Sequence, residues 1–379
     1  MVHSFRTVSD IRIDTGGTAR LDSHVNGLCP NKRIAIITDA GVRKLGLIDA
    51  GIAALEDAGY DLLIFDQVVA DPPEAIVLAG AAAVSDFKAG LVIGFGGGSP
   101  MDTAKVIAHL AGDNEQALGT LYGVGNAKGP KLPLLLIPTT AGTGSEVTNV
   151  AILTTGKTAK KGVVADSLYA DRVLLDAELT LGLPVSITAA TGIDAMVHAI
   201  EAYTSIRLKN PISDALALTA LRKLRGAIVR AVKYGGDDID ARNDMLIGAM
   251  IAGQAFSNAP CAAVHALAYP LGGFFHVPHG LSNALVLTEV MKYNQPKADD
   301  WYAEIARDIG AGQTGASLID DMLRLQDETG VPKTLTEVNI PEDAIGIMAN
   351  DAMTKDRLLM NNPREMTLDA TIKIYEAIL

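Results

Sequence analysis

In the stretch GIDAMVHAIEAYTS (192–205), Asp194 and His198 stand four residues apart, one turn of a helix, so a carboxylate and an imidazole project from the same face. Taken alone, such a pair fits a local hydrogen bond as well as a metal site. Further along, HALAYPLGGFFHVPHG (265–280) adds His265 in an Ala-rich helical context and His279 after Pro278, so four of the seven histidines fall between 198 and 279. One carboxylate oxygen and neutral imidazoles from two helices suit a divalent first-row ion, Fe²⁺ or Zn²⁺. An ion with an open coordination position would polarise a substrate oxygen, which makes this carboxylate with the neighbouring imidazoles a candidate catalytic cluster.

A second group of residues suits a phosphate-bearing cofactor. GFGGGSPMDTAK (94–105) puts a glycine turn directly after an apolar run, with Ser99 as the expected helix cap, Pro100 at the first helical position and Asp102 in the first turn. Gly97 and Gly98 let a diphosphate approach the backbone, and the helix start supplies free N–H donors. No Lys-Ser/Thr pair follows, which excludes a P-loop, and Ser99 occupies the third glycine position of the dinucleotide fingerprint. Asp39, at the end of KRIAIITDA, either accepts hydrogen bonds from an adenosine ribose, favouring NAD over NADP, or caps the next helix. A second polar loop, LLLIPTTAGTGSEV (134–147), offers Thr139, Thr140, Thr143 and Ser145 for phosphate and nicotinamide contacts, or forms an ordinary turn rich in Ser and Thr.

The elements that must position these residues fall into two blocks. KRIAIITDA, DLLIFDQV, GLVIGFG and PLLLIP read as buried parallel strands alternating with helices, GVRKLGLIDAGIAALEDAGY and PEAIVLAGAAAVSDFKA among them, with hairpin strands around 150–153 and 161–164. That pattern predicts a parallel sheet covered on both faces, with ligands at the carboxyl ends of its strands. After Pro184 the pattern turns helical. The expected division is an α/β domain over 1–180 and an all-helical domain over 181–379, in keeping with a 379-residue chain that exceeds one ordinary core.

Composition narrows the function classes. The formal charge is −12, and the basic clusters, such as Arg222, Lys223 and Arg225, are short, which argues against nucleic acid. Cys29 and Cys261 form neither a metal-binding spacing nor a disulfide framework, no window reaches a membrane span, and the N-terminus lacks an apolar leader core. A cytoplasmic protein with no membrane partner is the expectation. A strand over 4–13 is expected at a sheet edge, where pairing with a second copy would give a homodimer or higher homo-oligomer.

GGGSPMDTAK, PTTAGTGSEVT, the Asp194–His198 helix and the His265 and His279 segment together resemble the iron-containing (group III) alcohol dehydrogenases, such as lactaldehyde reductase and 1,3-propanediol dehydrogenase, over essentially the whole chain. The resemblance implies a dehydroquinate synthase-like architecture, with an N-terminal dinucleotide-binding domain and a C-terminal helical metal domain. It implies Asp194, His198, His265 and His279 as ligands of Fe²⁺ or Zn²⁺, and Asp39, Gly97, Gly98, Ser99, Thr139, Thr140, Thr143 and Lys160 as NAD contacts. The implied activity is interconversion of a small primary alcohol or diol and its aldehyde. Maleylacetate- or hydroxyacid-type reduction, or a lyase activity like that of dehydroquinate synthase, is the alternative on the same architecture. Tyr269 stands where many members have a second histidine, four residues after the third ligand, so a proton relay does not carry over from them.

Overall fold

The computed structural model describes residues 4–112, 115–156 and 159–379. Among these, nine strands follow in chain order: β1 (Ile11–Ile13), β2 (Arg33–Asp39), β3 (Asp61–Val68), β4 (Leu91–Gly96), β5 (Gly123–Val124), β6 (Leu134–Pro138), β7 (Val150–Thr155), β8 (Ala159–Val164) and β9 (Arg172–Leu175). Six of them form one parallel sheet in the order β1-β9-β6-β4-β2-β3. Its central strands are buried on both faces, as their near-continuous Ile, Val and Leu runs require. Ile34, Ile36, Leu91, Ile93, Phe95, Leu135 and Ile137 form the middle of this core, with Leu21, Leu55 and Leu174 packed against them. β5, β8 and β7 form a separate small sheet, in which β7 and β8 are the expected hairpin.

The order of this sheet determines where a ligand can lie. From β2 the chain moves outward to β3, then returns to place β4 on the other side of β2. The crossovers diverge between β2 and β4, so their carboxyl ends, Asp39 and Gly96, flank a crevice of the kind that binds ligands in open α/β sheets.

Helices α1 (Ala40–Lys44), α2 (Glu74–Phe87) and α3 (Gly98–Leu110) belong to this unit. The single helix expected over 41–60 is instead α1 followed by a second helix at Asp49–Asp57, because Gly46 between them takes a φ of 67°. The edge strand expected over 4–13 is limited to Ile11–Ile13, paired with β9.

Among the described residues, the second unit comprises Gly182–Leu379 with 4–6 and Ala141–Thr143; the first comprises Thr7–Thr140 and Gly144–Leu181. The long helices of the second, helical unit are α4 (Val185–Thr204), α5 (Pro211–Tyr234), α6 (Ile239–Asn258), α7 (Ala263–Phe275), α8 (His279–Asp308), α9 (Gly315–Thr329) and α10 (Leu368–Ala377), with shorter helices at Ile345–Ala352 and Asp356–Leu359. Asn210 starts α5 with a capping box to Ser213 and Pro211 at the first position. Helix α4 is buried on every side from Gly192 to Thr204, the mark of a central helix. It packs against α5, α6 and α8, which brings the distant histidine segment onto the face that carries Asp194 and His198.

Candidate metal centre and cofactor region

Three helices of the helical unit supply one polar cluster. Asp194 and His198 come from the same face of α4, His265 from the first turn of α7 and His279 from the first residue of α8. One ligand atom from each of the four lies within 4.8 Å of the others. The Nε2 atoms of His198 and His265 are 3.0 Å apart, and Nε2 of His279 is 3.8 Å from Oδ1 of Asp194. Asp194, His198 and His265 are buried, whereas the His279 side chain is 38% exposed, so the cluster is reached from the His279 side. Gly280 lets the start of α8 pack closely on α4: a Cβ there would lie 2.5 Å from the backbone oxygen of Ala190.

Two further residues orient the cluster. The Glu201 carboxylate, also buried, accepts the Val264 backbone N–H at 2.7 Å and the His265 Nδ1–H at 2.6 Å. It thereby satisfies a free N–H in the first turn of α7 and leaves the lone pair of His265 on Nε2, turned toward the cluster. Asn283, one turn after His279, donates from Nδ2 to Oδ1 of Asp194 at 2.6 Å and lies 3.3 Å and 3.4 Å from Nε2 of His265 and His279. Glu201 continues the Asp194–His198 face of α4 at the next turn, and Asn283 follows His279 by four residues. That periodicity was the available signal for both.

Electrostatics follow from this packing. Burial works against ionisation of Asp194, but the three imidazoles and the Asn283 amide outweigh it and hold the carboxyl below its usual range. Burial drives His198 down to about 3, with Asp194 opposing and the other two imidazoles adding to the shift, so it is neutral at pH 7. His198 also stacks on Phe256 at a centroid distance of 4.3 Å.

The donor set fits a divalent cation. Two imidazole nitrogens face each other at hydrogen-bond distance, and an amide nitrogen with only two hydrogens faces three acceptor atoms. One carboxylate oxygen and three imidazole nitrogens within 4.8 Å of one another are the donor types that a divalent first-row ion takes. Tyr269 is half-buried, with its ring 6.3 Å from that of His279, while His276 caps the end of α7 on the surface.

In the α/β unit the predicted cofactor residues gather at strand ends. Asp39 ends β2, and its Oδ1 accepts the Val42 N–H at 2.9 Å, so it is the cap of α1; its Oδ2 is directed toward Gly96. Gly96 takes a φ of 146°, and a Cβ there would lie 2.7 Å from Cγ of Pro100, so the turn between β4 and α3 requires glycine. Gly97 is the cap position of α3, and Gly98 and Ser99 are already helical. Ser99 is therefore not the cap, and Asp102 lies beyond the first turn, because the helix starts two residues earlier than expected. Thr139 and Thr140 follow β6, with Thr140 beside Gly97, while Thr143 partitions with the helical unit. Lys160 on β8 forms a 2.7 Å ion pair with Asp71.

Asp102 and Ser145 are occupied with each other and with a residue not anticipated from the sequence. Ser145 Oγ donates to Asp102 Oδ1 at 2.5 Å, the Ile152 N–H donates to Oδ2 at 2.9 Å, and fully buried Lys105 joins the same network.

Comparisons with known proteins agree along the whole chain. Residues 9–177 match the iron-containing alcohol dehydrogenase family, and residues 188–379 match the C-terminal region of the same family. Long-chain-alcohol dehydrogenase 1 of Geobacillus thermodenitrificans is 41% identical, over 91% of this chain and 89% of its own length. Among solved structures, 1,3-propanediol oxidoreductase superposes with a TM-score of 0.95 at 32% identity, covering 100% of both chains. Sulfoacetaldehyde reductase from Bifidobacterium kashiwanohense, in complex with NAD⁺, superposes with a TM-score of 0.90 at 28% identity, covering 100% of this chain and 99% of its own.

Proposed function

The chain belongs to the iron-containing alcohol dehydrogenase family, and on that premise we propose that Asp194, His198, His265 and His279 hold the divalent ion of an NAD(H)-dependent alcohol dehydrogenase. The reaction is oxidation of a primary alcohol or diol to its aldehyde, with hydride passing to NAD⁺ and one proton released, and its reverse. The observation that carries the reading is the convergence of one carboxylate and three imidazoles within 4.8 Å on three helices.

When bound, the divalent ion is a Lewis acid toward the alcohol or carbonyl oxygen and lowers the pKa of the hydroxyl. The chain's own residues prepare that role. Asp194 supplies the single negative charge, Glu201 keeps the proton of His265 on Nδ1, and burial keeps His198 neutral so that its Nε2 can act as a donor. Asn283 restrains the Asp194 carboxylate. The exposed side at His279 leaves room for the substrate oxygen.

For the cofactor, the backbone of Gly97, Gly98 and Ser99 at the start of α3 would receive the diphosphate, with Thr139, Thr140 and Thr143 in contact with phosphate or nicotinamide. Asp39 favours NAD through its free carboxylate oxygen. Lys160 joins the adenosine end by exchanging its pairing with Asp71. Asp102 and Ser145 serve this region through the network they form with Lys105. Fe²⁺ is the expected ion, with Zn²⁺ as the competitor for the same donors.

The α/β and helical blocks correspond to cofactor-binding and metal-binding domains, divided near residue 180. Among the described residues no helix is long and apolar enough to cross a membrane. The protein is assigned to the cytoplasm and to a homodimer, the open edge at β1 being the element available for pairing; light scattering tests this. The function is tested by anaerobic NAD-linked oxidation of primary alcohols and diols of increasing chain length, after chelation and after reloading with Fe²⁺ or Zn²⁺. Activity that vanishes on chelation and returns with one ion supports the reading; activity indifferent to chelation overturns it.

A further inference from the structure

Lys105 sits on the third turn of α3 with no exposed surface, where burial pulls its ammonium below the usual lysine range and the charges of Asp102 and Glu146 oppose that pull. Burying an ammonium is costly unless its three N–H donors are satisfied. Its Nζ lies 2.8 Å from Ser145 Oγ, 2.8 Å from the Val150 carbonyl, 3.1 Å from Thr148 Oγ1 and 3.4 Å from Asp102 Oδ1. Three of these four acceptors belong to one segment, 145–150, which follows the polar loop after β6. The fourth, Asp102, is on α3 and is bound in turn to Ser145 and to the Ile152 N–H. One side chain therefore joins the helix that starts at the glycine turn to the far end of the Thr-rich loop.

An apolar side chain of similar length would fill this space without the burial penalty, and replacing buried ionic groups in that way is often neutral or stabilising. It would not hold acceptors on two chain segments at once. We propose that Lys105 is a positioning residue for the dinucleotide, pinning the 145–150 segment to α3 so that the glycine turn and the Thr139–Thr140 loop are held in register for the cofactor. The proposal rests on the cofactor assignment above, and it gives Asp102 and Ser145 their function as partners of Lys105. Thr148 completes the set: its hydroxyl accepts from Lys105 and donates to the Ser145 carbonyl.

The test uses the metal-loaded enzyme and NAD⁺ itself. Lys105→Met should raise the Kd for NAD⁺ by titration calorimetry, and the KM for NAD⁺, by ~10-fold or more through lost preorganisation, with a smaller change in kcat and with metal content unchanged. Thr148→Val, which removes one acceptor at nearly constant volume, should move both constants in the same direction by less, and provides the reading if Lys105→Met does not fold. If the wild-type protein fails to bind NAD⁺, the cofactor assignment itself is wrong. If it binds NAD⁺ and the variants bind equally well, or lose thermal stability with Kd unchanged, Lys105 serves only the fold and the proposal is overturned.

Discussion

The helical unit and the α/β unit present their polar residues in opposite ways. In the helical unit, side chains of Asp194, His198, His265 and His279 turn their donor atoms toward one point. In the α/β unit, Asp39 caps a helix, Lys160 pairs with Asp71, and Asp102 and Ser145 bind each other and Lys105. What remains there for a ligand is the backbone of the glycine turn and the start of α3, with Thr140 and the second Asp39 oxygen beside it. A metal site is made of side chains, whereas a nucleotide site of this kind is made of main chain, with side chains holding that main chain in place.

This contrast predicts unequal consequences of substitution. The largest belongs to the helical unit: His265→Ala or Asp194→Ala should reduce metal content and turnover to background while NAD⁺ affinity stays nearly intact, checked by elemental analysis and calorimetry. Next is Glu201→Ala, which frees the His265 ring and leaves the Val264 N–H without its partner; it should weaken metal affinity by ~10–100-fold, measured by chelator competition. Glu201→Gln keeps one acceptor oxygen and should lose less.

A smaller effect is expected at Asp39, whose carboxylate caps a helix and is proposed to select NAD as well. Asp39→Ala should cost about 1 kcal/mol from the lost cap, read by urea denaturation. Asp39→Asn keeps the cap but removes the charge, so it should narrow the preference for NAD over NADP with little change in stability. If that preference does not move, Asp39 is a helix cap alone.

The smallest effect on function is expected at Glu146, where the consequence is a pH slope of stability alone, in the α/β unit. Burial pushes Glu146 up to about 7, against its own backbone N–H and the Lys105 charge, which pull it down. The folded state then holds this proton more tightly than the unfolded chain, so its stabilising contribution is full below pH 4.5 and is lost as the pH rises through about 7. Glu146→Gln should flatten this part of the stability profile, by on the order of 1–3 kcal/mol, in denaturation series between pH 5 and 8.

The same contrast explains what could be read from the residues alone. Helical periodicity showed that Asp194 and His198 share a face, and the Ile, Val and Leu runs showed the buried strands of the parallel sheet. Glu201 and Asn283 obey the same periodicity, but a buried Glu or Asn acquires its meaning only from its partner. Lys105 was invisible for a related reason: nothing in GGGSPMDTAK shows that its charge turns inward toward residues about 40 positions later. Ser99 lies inside the helix because Gly97, which has no capping side chain to mark it, takes the cap position and the helix begins at Gly98. Gly46 interrupted a helix that apolar spacing made continuous, since a single positive φ leaves no trace in hydrophobic periodicity.

The most direct measurement is equilibrium titration of metal-free protein with Fe²⁺ under anaerobic conditions, wild type beside His265→Ala. The account predicts one tightly bound ion per chain in the wild type and none in the variant, with NAD⁺ affinity shared by both. Equal binding in the two proteins, or no tight site in the wild type, would contradict the claim that Asp194 and the three histidines form the metal centre.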